Sequence, residues 1–231
     1  MTTPGEFNRQ LAAAARSMAA EHSTQDTLNR AVGLATELIE GCDIAGVSLV
    51  HKDRIDTPSA TGEALRLIDE AQFAMRQGPC LDALREHETV SSNDLGTDER
   101  WPEWGPRMVV EAGVRSCLCF QLFTTGDSLG ALNLYSRDTY GFTTADVDNG
   151  LALAAQIAIA LAAAQHEDQL AVGLAHRAVI GQAQGILMER YQLTSDAAFH
   201  LLVRFSTSLD LKLYDVARQI VATGHVPDDE I

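Results

Sequence analysis

Positive charge is scarce in this chain. Its 231 residues carry 17 Lys and Arg against 32 Asp and Glu, a formal net charge of −15. That balance opposes non-specific attraction of the whole molecule to a polyanion. Cysteine is also rare: there are four, with no CxxC pair. Such usage excludes a disulfide framework and fits reduced thiols in the cytoplasm. The N-terminus lacks a basic segment followed by an apolar core, so no secretory leader is expected. The apolar run from Leu151 to Ala164 contains Gln156 and is flanked by acidic residues. It falls short of the ~20 residues that span a bilayer and reads as a buried helix rather than a membrane anchor. No histidine pair has ligand spacing, since His166 and His176 lie ten apart, so no metal site is expected. There is no nucleophile elbow, phosphate loop or pair of catalytic carboxylates. No enzymatic activity is expected, and no cofactor is identified.

What is present is an ordinary globular composition, 46% hydrophobic and 21% charged, in a chain long enough for one sizeable core and a smaller second unit. The acidity is unevenly spread. From 169 to 227 the basic residues Arg177, Arg190, Arg204, Lys212 and Arg218 nearly balance Glu189, Asp196, Asp210 and Asp215. The excess therefore belongs to the N-terminal part and to the Asp228-Asp229-Glu230 tail.

Phe7, Leu11, Ala14 and Met18 recur at helical spacing, and a second helix follows from about Thr24 to Ile39, ended by Gly41. A strand is expected over 45–50, then a turn at Lys52-Asp53. Helices are expected over 63–75, 81–86 and around 108–112, with a short strand at 89–91 and a polar stretch from Asn93 to Gly105. Two strands, 115–124 and 129–136, flank a hairpin turn at Gly126-Asp127. Thr143 and Asp146 form a capping box that opens another helix, and Phe142 can staple onto Val147. In that helix Val147, Leu151, Ala154, Ala158 and Leu161 trace a coiled-coil-like seam. The pattern weakens at QHEDQ (165–169) and Gly173, where an adjustable link is expected. This order of elements, with GPCLDAL, DERWPEW, GVRSCLCFQL and LGALNLYS, resembles a GAF domain over about Thr24 to Ala164. The resemblance implies a central antiparallel sheet with helices on one face and a small-molecule pocket on the other.

The C-terminal part reads as three helices. The first carries Ile180, Ala183, Leu187 and Tyr191 as one seam, with Gly181 and Gly185 marking a place where another backbone or a partner approaches. The second carries Ala198, Leu201, Leu202 and Phe205 behind an N-cap at Thr194. The third carries Leu213, Val216, Ala217 and Ile220 behind a cap at Asp210. The run IGQAQGILMERYQLTSDAAFHLLVRFSTSLDLKLYDVARQIV resembles the ANTAR domain, an RNA-binding module of transcription antitermination regulators, over about Leu170 to Thr223. Gln184 stands where many members of that family carry a lysine, which removes part of the expected basic surface.

The expected architecture is thus α+β: an antiparallel GAF-like sheet with flanking helices, joined by a long helix to an all-α ANTAR-like domain. The divisions are 1–23 as a dimerisation helix, 24–164 as the sensor domain and 165–231 as the RNA-binding domain with its acidic tail. His200, Arg204 and Thr207 share the stripe opposite the second seam, which suits phosphate contact and equally suits a solvated face. With the resemblance, Arg204 and Lys212 become the expected phosphate contacts. Ser206 and Ser208 are hydrogen-bond donors near the helix junction, and His200, Arg218 and Gln184 complete the RNA face.

In the GAF-like part, Trp101 and Trp104 beside Phe73 and Cys80 fit the lining of a ligand pocket and fit equally well a set of core aromatics. Cys117 and Cys119 share one face of a strand, as a reactive pair or as packing. Cys42 and Cys80 read as isolated. The expected function is a cytoplasmic regulator that binds stem-loop RNA under control of a GAF sensor, with a small-molecule ligand as a further partner. The other reading is a ligand or redox sensor whose helical tail serves dimerisation or protein contact alone. A homodimer is expected through Phe7, Leu11 and Met18 against Leu151 and Leu161.

Overall fold

The computed structural model describes residues 4–51, 54–86, 89–124 and 128–226. The expected turns at Lys52-Asp53 and Gly126-Asp127 and the acidic tail lie outside the described residues. The chain forms two compact units, 1–166 and 167–231. In the first, α1 (Pro4–Ala19) and α2 (Thr24–Leu38) precede strands β1 (Ile44–His51) and β2 (Arg54–Ala60). Next come α3 (Glu63–Met75), α4 (Pro79–Glu86), β3 (Thr89–Ser92), α5 (Trp104–Glu111), β4 (Ser116–Phe123) and β5 (Ser128–Ser136). Helix α6 (Thr144–Tyr191) starts in the first unit and ends in the second, where α7 (Ser195–Ser208) and α8 (Leu213–Thr223) follow.

The five strands make one sheet in the order β2-β1-β5-β4-β3, every neighbouring pair antiparallel. Together with the flanking helices this is the expected α+β class. Strand β2, which contains Pro58, has no counterpart in the sequence-based reading. Its place at the sheet edge explains how Pro58 is tolerated, since an edge residue need not donate to a ladder on both sides.

Alternation along the strands sends side chains to two different cores. Val47 and Leu49 of β1, Leu118, Phe120 and Leu122 of β4 and Leu132 and Leu134 of β5 meet α1, α2 and the first part of α6. Ile44, Cys117, Cys119 and Tyr135 point the other way, toward α3, α4 and α5. Helix α3 lies close on that second face at Gly46, where an added Cβ would stand 2.0 Å from Leu65 Cδ2.

Two expectations for the helical layer are corrected. Phe7, Ala14 and Met18 of α1 are buried within this chain, in one core with Leu153, Ala154, Ile157, Ala158 and Leu161 of α6. Leu161 therefore finds its partners inside the molecule, and α1 is not left to a second copy. Leu151, assigned to the same seam, is 53% exposed. The helix is apolar on nearly every side in this stretch, so spacing alone does not choose the buried face. The capping box forms as expected: Thr143 N and Thr143 Oγ1 donate to Asp146 Oδ2 at 2.8 and 2.6 Å, and Asp146 N donates back to Thr143 Oγ1 at 3.3 Å. Phe142 and Val147 both pack on the first core. The backbone stays helical through 165–173, with no break at QHEDQ or Gly173. By length and composition α6 is apolar enough to cross a membrane, but its Leu153 to Leu161 stretch is committed to the core of the first unit.

The second unit has its own core of Ala183, Leu187, Ala198, Leu202, Val216, Ala217, Ile220 and Val226, flanked by Ile180, Leu201, Phe205 and Leu213. Tyr191 is the exception to its expected seam, at 40% exposure. Gly181 and Gly185 face open space, with nothing among the described residues outside their own helix within 4 Å of an added Cβ. Thr194 caps α7 as expected, accepting from Ala197 N at 3.4 Å. Asp210 does not cap α8; the N-cap is Lys212, without a side-chain bond. Asp210 instead takes the left-handed position (φ 52) that closes α7. Leu211 N donates to Ser206 O at 3.1 Å and Asp210 N to Thr207 O at 3.4 Å, the pairing of a Schellman turn.

Met18→Ala is expected to cost ~2–5 kcal/mol in chemical denaturation, because Met18 is 1% exposed. Leu151→Ala should stay within about 0.5 kcal/mol. The reverse ranking would mean that α1 is not part of this core. Gly185→Ala should raise stability by ~1 kcal/mol, since the position is helical and open.

Candidate functional site

The sheet face under α3 and α4 is unusually polar for a core. Asp69 and Gln72 occupy the inward stripe of α3, at i+4 and i+7 from Leu65, and both are buried. Asp69 Oδ2 accepts from Ser48 Oγ of β1 at 3.0 Å and from Thr57 Oγ1 of β2, while Oδ1 accepts from Gln72 Nε2 at 2.9 Å. Gln72 Nε2 also donates to Tyr135 OH of β5 at 3.3 Å, and Gln72 Oε1 accepts from Cys80 N at 2.9 Å, tying α3 to the start of α4. Asn133 of β5 donates through Nδ2 to Ser48 Oγ at 2.8 Å. Among the described residues, Asn133 Oδ1 is the one buried side-chain polar atom without a hydrogen-bond partner. An orphaned acceptor of this kind costs about 1–3 kcal/mol. A ligand that brings a donor to it would recover that loss.

Burial dominates the electrostatics. It raises the Asp69 carboxyl to about 6, against the hydrogen bonds from Thr57, Ser48 and Gln72 that favour the charged form. Burial, helped by the nearby Asp69 charge, pushes the Cys80 thiol up to about 12. The Cys119 thiol and the Tyr135 phenol are raised for the same first cause. Cys80 is thus not isolated, since it lies in the field of Asp69 and its backbone N–H is bonded to Gln72. Cys117 and Cys119 are both fully buried, opposite Tyr135 and Asn133 across the β4–β5 ladder.

Trp101 and Trp104 belong to the core beside this cluster. Their rings meet edge-on at 5.9 Å, Trp101 Nε1 donates to Asp82 Oδ2 at 2.7 Å, and Trp104 Nε1 donates to Ile68 O at 3.3 Å. Both indole donors are spent inside the fold. Phe73 is half-buried on α3 and is not among the residues of this core. The polar members Ser48, Thr57, Asp69, Gln72, Asn133 and Tyr135 escape sequence-based selection. The available signal was Asp69 and Gln72 on the apolar stripe of Leu65 and Ile68, where a polar residue must find partners.

In the second unit the expected RNA residues separate. Arg204 and His200 are exposed on α7 and line a groove with Tyr191, Ala197, Leu201 and Phe205. Arg218 lines a different groove on α8, 4.0 Å from Asp215 Oδ1. Lys212 is exposed at the start of α8. Three expected contacts are already engaged. Gln184 Nε2 donates to Ser195 O at 2.7 Å and Ser195 Oγ at 2.8 Å, fastening α6 to the first turn of α7. Ser206 Oγ donates to Leu211 O at 2.6 Å inside the Schellman turn, and Ser208 Oγ donates to Phe205 O at 3.2 Å. Each hydroxyl has one proton, so neither serine offers a free donor as it stands.

Family comparisons define the class. The GAF domain model matches residues 21–162 and the ANTAR domain model residues 168–221, the architecture of an antitermination regulator controlled by a GAF domain. The chain belongs to the GAF domain family and carries an ANTAR domain behind it. Among solved structures, the GAF domain of a phosphoenolpyruvate-protein phosphotransferase from Coxiella burnetii is 14% identical with a TM-score of 0.58, over 71% of this chain and 96% of that one. A free methionine-R-sulfoxide reductase from Neisseria meningitidis, in complex with its substrate, is 18% identical with a TM-score of 0.56, over 70% and 92%. At such identities the likeness establishes the fold and leaves activity aside. No match was found among curated proteins.

Asp69 has a definite pH signature. Its ordinary value is 3.8 and its folded value about 6, so between the two the folded chain holds a proton that the unfolded chain has released. Stability should therefore fall as pH rises through this window, by the order of 3 kcal/mol at ~1.4 kcal/mol per unit, and the effect should end above the folded value. Denaturant titrations across that range on wild type and Asp69→Asn check it, and an equal slope in the variant would remove Asp69 as the cause. Cys80, Cys117 and Cys119 should resist a thiol reagent in the folded protein and react only on unfolding. Prompt native labelling would contradict their burial.

Proposed function

We propose that this chain is a cytoplasmic antitermination regulator that binds stem-loop RNA through its C-terminal helices under control of the GAF unit. The observation that carries the reading is the ANTAR match, which runs from 168 to 221 and so takes in the end of α6, α7 and nearly all of α8. Arg204 and Lys212 support it: both are exposed, and among the described residues neither pairs with a carboxylate. With Gln184, Ser206 and Ser208 engaged inside the fold and Arg218 facing Asp215, the RNA face narrows to Arg204 and Lys212, with His200 beside them. Unpaired loop bases suit such a face because they offer stacking surfaces as well as phosphates.

The GAF unit supplies the control in this reading. Its ligand is a small molecule that donates a hydrogen bond to Asn133 Oδ1, next to the Asp69 carboxyl. The role is regulatory rather than catalytic, since Cys80, Cys117 and Cys119 on that face are buried, and burial raises the Cys80 and Cys119 thiols away from the reactive thiolate. A homodimer is retained with a changed surface: the exposed side of α6 that carries Leu151 and Ile159, now that α1 is spent on the intramolecular core. Ultracentrifugation that shows a monomer at micromolar concentration removes that part of the reading.

The test is a salt-dependent affinity for stem-loop RNA that exceeds the affinity for duplex DNA. Arg204→Ala and Lys212→Ala should each weaken RNA binding and reduce the slope of log affinity against log salt by roughly one phosphate contact. Stability should change by no more than about 0.5 kcal/mol. If both variants bind like wild type, this face is wrong. If wild type shows no preference for RNA, the helical tail serves protein contact alone.

A further inference from the structure

The groove between the end of α6 and α7 has a volume of about 540 Å3, within the range that holds small planar groups. Leu201, Phe205 and Ala197 make its lining apolar, and Tyr191 adds an aromatic ring. Arg204 and His200 also line it, and among the described residues no carboxylate does. In a chain with 32 acidic residues against 17 basic ones, an acid-free groove that holds a guanidinium and an imidazole is complementary to an anionic partner with an apolar face. Tyr191 is half-open although its helical spacing places it on the buried seam. It is also braced: the Arg190 guanidinium lies 6.0 Å from the Tyr191 ring centre, and Arg190 Nη1 donates to Gly224 O at the end of α8. A fixed aromatic ring in an apolar groove, with a cation whose charge is not taken up by a carboxylate, suits a nucleobase and the phosphate attached to it.

We propose that the α6–α7 groove receives one unpaired base of the RNA loop, stacked on Tyr191, while Arg204 meets the phosphate of that nucleotide. The proposal rests on the RNA-binding reading above and adds to it the residue that the base touches and the groove that selects it. Ala197, in the first turn of α7, sets the space available, so a longer side chain there competes with the base. An apolar side chain from another protein would fill the same lining but leave Arg204 without a partner, which is why a nucleotide is favoured over a peptide.

The experiment uses the full chain and a stem-loop RNA library with a randomised loop. The tightest binder is then resynthesised with an abasic nucleotide at each loop position in turn. One position is expected to lose about tenfold in affinity when its base is removed. Ala197→Met and Tyr191→Ala should each weaken the intact RNA by about tenfold with an unchanged salt slope, and should bind the intact and the abasic RNA alike. Tyr191→Phe should bind as wild type, which separates loss of stacking from loss of fold. If Ala197→Met and Tyr191→Ala bind like wild type while Arg204→Ala weakens binding, RNA recognition stands and base insertion is overturned. If Ala197→Met changes the oligomeric state and leaves RNA affinity intact, the groove is a protein contact and the proposal fails. If no library member binds with salt-dependent affinity, the RNA-binding reading itself falls and takes this proposal with it.

Discussion

Helix α6 must supply side chains to two different cores, one in each unit, and the packing of each unit depends on it. Leu153, Ala154, Ile157, Ala158 and Leu161 close the first core with α1, α2 and the sheet. Ala183 and Leu187 then anchor the second core with α7 and α8. Because every backbone group inside a helix bonds within the helix, the chain passes from one unit to the other without an irregular segment that needs partners of its own. That economy explains why the polar run QHEDQ stays helical: its residues lose an apolar partner but keep their backbone bonds.

The sheet meets a harder constraint. Its first face is almost wholly apolar and packs as an ordinary core, whereas its second face carries Ser48, Asn133 and Tyr135 under Asp69 and Gln72. Buried polar groups persist only as a satisfied network. Here the network joins β1, β2, β5, α3 and α4, and it leaves a single acceptor, Asn133 Oδ1, unsatisfied. An apolar core of the same volume would be more stable. A face that accepts this penalty is suited to responding to a change in its surroundings, which is what a sensor domain requires.

Electrostatics divides the molecule in another way. The chain as a whole repels polyanions, so nucleic-acid binding depends on a local surface where acid is absent. Helix α7 provides one, with Arg204 and His200 on a groove that no carboxylate among the described residues lines. The structure also shows why the candidate list shortens. Ser206 and Ser208 look like free donors in a helix-junction sequence, but a Schellman turn and back-bonding take up their protons.

Much of the fold follows from the sequence by itself. Period 3.6 locates α1, α2, α3, α7 and α8, and the capping box at Thr143 and Asp146 starts α6. Each of these is a local effect, carried by residues within a turn or two of one another. Strand β2 escapes, and only its place at the sheet edge shows how a strand accommodates Pro58. The choice between Leu151 and Leu153 as the buried residue of α6 needs the neighbouring helices, since that stretch is apolar all round. Phe7 and Met18 read as an interface from the sequence, and only α6 beside them shows that they belong to the core. Arg204 is exposed by helical arithmetic alone, but the groove with Tyr191 requires α6 and α7 to be brought together. Asp69 and Gln72 of α3, Ser48 of β1 and Asn133 of β5 come from three separate segments, and only the closing of the sheet makes them one site, because hydrogen bonds at about 3 Å depend on positions that no spacing rule encodes.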